Sequence, residues 1–158
     1  MNQIFLSLQQ RKQHFVENQS NTTIELQGSQ IDNHLLYIRN CHHCPINVTC
    51  QKIEKILVEK CDNIQLTLNV ERGIRTSMLE LFHSHDTKIT IPTQSNTNLQ
   101  LVTIDSCKTL QLLINDRSLL QNLSIVHSNS SDLNVNHVDL HAMLSSSPSS
   151  LSENKEEE

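Results

Sequence analysis

The chain is expected to fold as an all-β, right-handed parallel β-helix of about six short coils, and three observations predict this. One strand-corner-strand unit recurs at spacings of about 20 to 23 residues, with paired aliphatic side chains on either side of a small central residue. Glycine is scarce, at 2 in 158 residues, which disfavours hairpin-rich architectures whose two-residue turns need positive φ. Aromatic residues make up only 3% and Trp is absent, so the core must be built from Leu, Ile and Val in repeating layers.

The coils can be taken in order. A weaker first coil centres on Gln19, with Val16 before it and Ile24 and Leu26 after it. Around Cys41 stand Leu36 and Ile38, then Ile46 and Val48. Cys61 is flanked by Ile56, Val58, Leu66 and Leu68, and Ser84 by Leu79, Leu81, Ile89 and Ile91. Cys107 has Val102, Ile104, Leu112 and Ile114, and Ser128 has Leu123, Ile125, Leu133 and Val135. Within each pair the spacing of two is strand alternation, which puts both side chains on one face. Ile53, Leu99 and Leu120, each eight before an anchor, suggest a third short strand per turn. A unit this small cannot bury its own apolar face, so neighbours must stack and pair in parallel. Small residues at the anchor suit a tight corner. An antiparallel sandwich is the competing architecture, but it predicts hairpin turns and no small residue in register.

The expected layout is an N-terminal extension over 1–13, the β-helix over 14–144 and a disordered Ser/Glu-rich tail over 145–158. Val138, Leu140 and Met143-Leu144 offer a last strand before that tail. The net charge of −5 gives no electrostatic reason to expect nucleic acid. No apolar run reaches the roughly 18 residues of a membrane span, and the first ten residues lack a basic lead. Five Cys, an odd number, with no visible route to an oxidising compartment read as reduced thiols of a cytoplasmic protein.

Chemistry-bearing patterns are few. Cys41-His42-His43-Cys44 has the spacing of a zinc knuckle. The repeat accounts for both thiols as coil lining, however, and the structural reading is favoured over a metal or redox one. His83-Ser84-His85-Asp86 holds the residue types of a hydrolytic triad, but neighbours in one strand alternate faces and cannot converge. Gly28 and Gly73 stand alone, so no phosphate cradle is built, and acidic residues are too scattered for glycoside cleavage. Lys52, Glu54, Lys55, Glu59 and Lys60 are read first as a solvated outer face and second as a partner-binding one. No catalytic activity, cofactor or metal is expected.

Four stretches carry a family resemblance. Phe15-Val16-Glu17-Asn18-Gln19, Leu36 to Cys41, Gln51 to Cys61, and Ser130-Ser131-Asp132-Leu133-Asn134-Val135 together are similar to the C-terminal domain of the cyclase-associated proteins. The likeness covers roughly residues 11–136. It implies a right-handed parallel β-helix that binds actin monomers, promotes exchange of their nucleotide and is no enzyme. Carried over by position, the implied actin-binding residues are Glu17, Asn18, Gln19, Lys52, Lys55, Lys60, Asp132 and Asn134, with Lys52 the first choice. The family's dimer exchanges a β-hairpin at the C-terminal end. Here only Asn136 to Leu144 corresponds, so the resemblance allows a homodimer without supplying the usual hairpin. The family's Asp-Gly-Cys reads Asp105-Ser106-Cys107, and its helical and proline-rich segments are not seen in this chain. Tubulin-folding cofactor C shares the implied fold and acts on a small GTPase through an inserted Arg. At that position this chain carries Glu54, a charge that would oppose phosphoryl transfer.

Overall fold

The computed structural model of the chain describes residues 12–92 and 98–138. The tail over 145–158, the expected strand residues Leu140 and Met143-Leu144, and all but the last two residues of the N-terminal extension lie outside them.

Alternation of apolar and polar residues makes twelve short strands. The odd-numbered ones are β1 (Gln13–Glu17), β3 (Leu35–Arg39), β5 (Lys55–Glu59), β7 (Met78–Phe82), β9 (Leu101–Asp105) and β11 (Ser124–Ser128). The even-numbered ones are β2 (Ile24–Gln27), β4 (Pro45–Cys50), β6 (Gln65–Val70), β8 (His85–Ile91), β10 (Lys108–Ile114) and β12 (Ser131–His137). The odd strands form one six-stranded sheet in chain order and the even strands form a second. Every pairing is parallel, for example Leu36↔Ile56 and Ile46↔Leu66. Consecutive strands alternate between the two sheets, and that is a parallel β-helix.

The apolar pairs become internal ladders between the sheets. Leu36, Ile56, Leu79 and Val102 form one in the first sheet, and Ile46, Leu66, Ile89 and Leu112 face it from the second. Each of these eight is no more than 1% exposed. Burial of one such side chain stabilises by about 1.5–3 kcal/mol.

Two expectations are corrected. In the last coil the small anchor is Ser130, not Ser128, because Ser128 pairs with Asp105 and Ser131 with Lys108. Ile125 therefore stands beside Val102, while His127 and His137 take the slots of Ile104 and Ile114. A shift of two keeps every side chain on its face, so alternation cannot detect it. Among the described residues no further coil stacks on this one, and His is accommodated there. The third strand per turn is also not formed among the described residues. Ile53↔Ile74 is an isolated bridge, and Leu120 lies in a short helix, α1 (Arg117–Asn122). Asp116 caps that helix, its carboxylate accepting from the Ser118 and Leu119 amides at 2.8 and 3.3 Å.

The corner from odd to even strand explains the shortage of glycine. Asn18, Asn40, Lys60, His83, Ser106 and Asn129 all have φ between 50° and 56°. Three residues later Asn21, His43, Asn63, Asp86, Thr109 and Asp132 repeat this, with φ between 49° and 57°. Seven of these twelve are Asn or Asp, which tolerate the left-handed region better than other non-glycine residues. Inter-coil backbone bonds hold it, such as Asn40 N donating to Glu59 O at 3.1 Å and His43 N to Asp62 O at 3.0 Å.

Candidate functional site

The first corner carries most of the polar residues singled out above. Glu17 ends β1, and its carboxylate accepts from Arg39 at 3.2–3.3 Å in the next coil. Asn18 accepts from Asn40 Nδ2 at 2.6 Å, and Gln19 Nε2 donates back to the Glu17 carbonyl at 3.0 Å. Lys60 lies two coils along in the same left-handed column and is exposed. Asp132 closes the far end of the corner, accepting from Thr109 Oγ1 at 3.1 Å. Five coil steps separate the two ends, about 24 Å at ordinary strand spacing.

The other three candidates lie elsewhere. Lys55 sits on the outer face of the first sheet, its ammonium 2.8 Å from Glu80. Asn134 is on the outer face of the second sheet. Lys52 lies at the opposite end of β5 from Lys60, beside a cavity of about 100 Å³ lined also by Asp32, Asn33, Gln51 and Arg72. The eight residues therefore do not form one site.

The cysteines turn inward. Cys41, Cys61 and Cys107 share one internal column with Ser84 and Ser130, and each thiol or hydroxyl bonds to the carbonyl two residues before it, at 2.8–3.5 Å. Cys44 Sγ donates to the His42 carbonyl at 3.3 Å. Burial pushes the Cys50 thiol up to about 12 and raises Cys107 as well. All five are buried free thiols. Among the described residues no three His, Cys, Asp or Glu side chains are placed to hold a metal ion. Ser84 points into the coil with 1% exposure while His83, His85 and Asp86 are exposed, so that stretch assembles no triad.

One surface was not anticipated. Three of the chain's four Phe and Tyr residues lie on the outer face of the first sheet. Phe15 stacks on Tyr37 with ring centroids 5.1 Å apart, and the Arg39 guanidinium lies 5.1 Å from the Phe15 centroid. Leu57 follows Tyr37 in this row, Glu80 and Thr103 come next and Val126 ends it, while Phe82 stands in the adjoining row between Glu59 and Asp105. Phe15 is 42% and Val126 56% exposed, and they are the large hydrophobics that stand exposed among the described residues. The second sheet instead presents Asn47, Thr67 and Thr90 in one outward row and Gln65, Lys88 and Gln111 in another. The signal was present in the sequence as Tyr37, Leu57 and Phe82, which fall between ladder slots. Reading only the ladder positions passed over them.

A protein-family model described as "Adenylate cyclase associated (CAP) C terminal" matches residues 3–145. The chain belongs to this family. Among solved structures it is similar to the cyclase-associated protein from Cryptosporidium parvum, with a TM-score of 0.66 and 19% identity. That likeness covers 81% of this chain and 75% of the other, and it shows the fold. Comparison with curated protein sequences gave no significant match. In this cyclase-associated protein C-terminal domain, Val16-Glu17-Asn18-Gln19 opens the corner and Ser130-Ser131-Asp132 closes it. No helix among the described residues is long and apolar enough to cross a membrane.

Proposed function

We propose that the chain binds actin monomers and promotes exchange of their bound nucleotide, recycling subunits for filament turnover in the cytoplasm. Membership of the cyclase-associated protein C-terminal family, across residues 3–145, carries this reading. The domain acts as a binding module, changing its partner by preferring one of its conformations, and that requires unequal affinity for the two.

The favoured docking surface joins the outer face of the first sheet, aromatic over Phe15 and Tyr37 and mixed beyond Leu57, to the first corner. The face alone is roughly 24 by 17 Å from strand spacing and rise, about half of the ~800 Å² that a specific interface takes from each partner. Glu17, Asn18, Gln19 and Lys60 on the corner extend it, and Lys55 lies within it. Lys52 and Asn134 fall outside this surface.

Titration of labelled actin monomers, together with release of a fluorescent nucleotide from them, tests the proposal. Micromolar binding and faster release support it; absence of both at tens of micromolar ends it. Tyr37→Ala should weaken binding by roughly tenfold or more, as loss of a central aromatic anchor does. Lys52→Glu should leave binding unchanged if the surface is drawn correctly. A GTPase-directed reading finds no supporting observation. Glu54, where the Arg would stand, is 8% exposed and ion-paired with Arg75 of the following coil.

A further inference from the structure

The internal column of the first corner holds, in order, Cys41, Cys61, Ser84, Cys107 and Ser130, with the exposed Gln19 at the equivalent place in the first coil. Only one pair of the five cysteines is adjacent in it. Arg39 pairs with Glu59 in the sheet, and His42 bridges to Asp62 beyond the corner. Cys41 and Cys61 are therefore held in register between two paired points. The Asp62 amide donates to the Cys41 carbonyl at 3.0 Å, and the Asn40 amide donates to Glu59 at 3.1 Å, which brackets the pair on both sides. In-register strands lie about 4.8 Å apart, inside the range of about 4.4–6.8 Å between Cα atoms that a disulfide spans. Cys107 is separated from Cys61 by Ser84. Cys44 lies in the column of Ile64, and Cys50 pairs with Val70, so neither has a thiol neighbour in its column.

We propose that Cys41 and Cys61 form an oxidant-responsive dithiol that a peroxide converts to a disulfide joining consecutive coils, the other three cysteines remaining thiols. The neighbouring Cys61 thiol lowers the Cys41 pKa to about 7 against the opposing effect of burial. The same contact, together with burial, raises that of Cys61. Cys41 is thus the sulfur that reacts first, since the thiolate is the nucleophile. Its thiolate attacks one oxygen of hydrogen peroxide, the O–O bond breaks, and a sulfenic acid and hydroxide result. The Cys61 sulfur then displaces hydroxide from the Cys41 sulfur, the S–S bond forms, and the Cys61 proton leaves as water. In sum, two thiols and one peroxide give one disulfide and two waters. Both sulfurs are shielded, at 0% and 1% exposure, so the reaction proceeds through local opening of the corner and is slow beside that of a surface thiol.

Peptide mapping of the folded chain after hydrogen peroxide treatment tests this, with remaining thiols trapped by N-ethylmaleimide. The expected product is one species lighter by two hydrogens in which Cys41 and Cys61 are joined, while Cys44, Cys50 and Cys107 carry the label. Cys61→Ser should abolish the product and still fold, because Ser already fills the same column at 84 and 130. Five labelled thiols after a treatment that links the urea-unfolded chain would overturn the proposal. So would a linkage through Cys44, Cys50 or Cys107.

Discussion

Asn40 sits at φ 52° and donates to Asn18 while its Oδ1 lies 3.2 Å from the His42 ring nitrogen, so one side chain serves both the corner's backbone and its surface. Alanine there keeps neither bond and meets the left-handed penalty of about 1–2 kcal/mol. Asn40→Ala should therefore destabilise by about that amount in urea unfolding, and Asn40→Gly by less, since Gly adopts positive φ freely. An equal loss for both would show that the side-chain bonds, and not the backbone, set the cost. Asp105 is a second case. Hydrogen bonds from Ser128 and then Asn129 hold its carboxyl below the ordinary 3.8, with Ser106 and the nearby His83 adding to them. A carboxylate depressed in the folded state contributes stability that is complete above 3.8 and is lost as pH falls through its lower folded value. Asp105→Asn should thus lower stability at neutrality, converge with the parent chain at low pH, and so flatten the acid limb of the stability profile below about pH 4. Neither residue's role was legible beforehand, because both depend on partners 22 to 24 positions away.

At the scale of the strand, the same residue type means different things on the two faces. Leu66 is 1% exposed between the sheets, and its truncation to Ala should cost about 2–5 kcal/mol. Val126 is 56% exposed on the outer face, and Val126→Ala should fall within about 0.5 kcal/mol. Thermal and urea unfolding of the two variants would check the contrast. The corner column behaves as an element of its own. Ser84 accepts from the Cys61 amide at 3.2 Å and donates to the Phe82 carbonyl at 3.0 Å. Ser84→Ala leaves both buried groups short of a partner, a loss of about 1–3 kcal/mol, whereas Ser84→Cys restores the donor. If Ala and Cys prove equally damaging, packing and not hydrogen bonding governs the column. Alternation located these strands, because strand periodicity is local. It could not distinguish Ser128 from Ser130 as the last anchor, since both choices satisfy the same parity and, among the described residues, the end coil has no neighbour on its far side to enforce aliphatic residues.

For the molecule as a whole, stability comes from stacking coils, each contacting its neighbours in register. Among the described residues the thiols that suggested a metal donate to backbone carbonyls inside the coil. Addition of a strong chelator should leave the melting temperature unchanged. A drop of several degrees would show a bound ion that holds Cys41 or Cys44. The architecture was legible because each coil repeats the same burial problem with nearly the same residues, and agreement between repeats carries information that no single coil does. By itself, then, the sequence determined the parallel β-helix, the inward ladders of all but the last coil and the inward placement of the cysteines, all consequences of a pattern repeated every 20 to 23 residues. Only the tertiary structure decided which surface is continuous. It gathered Phe15, Tyr37 and Phe82 from three coils onto one face, placed Lys52 on the opposite edge from Lys60, and set Cys41 against Cys61. Those relations run perpendicular to the chain, where neighbours are fixed by strand pairing and not by proximity in sequence.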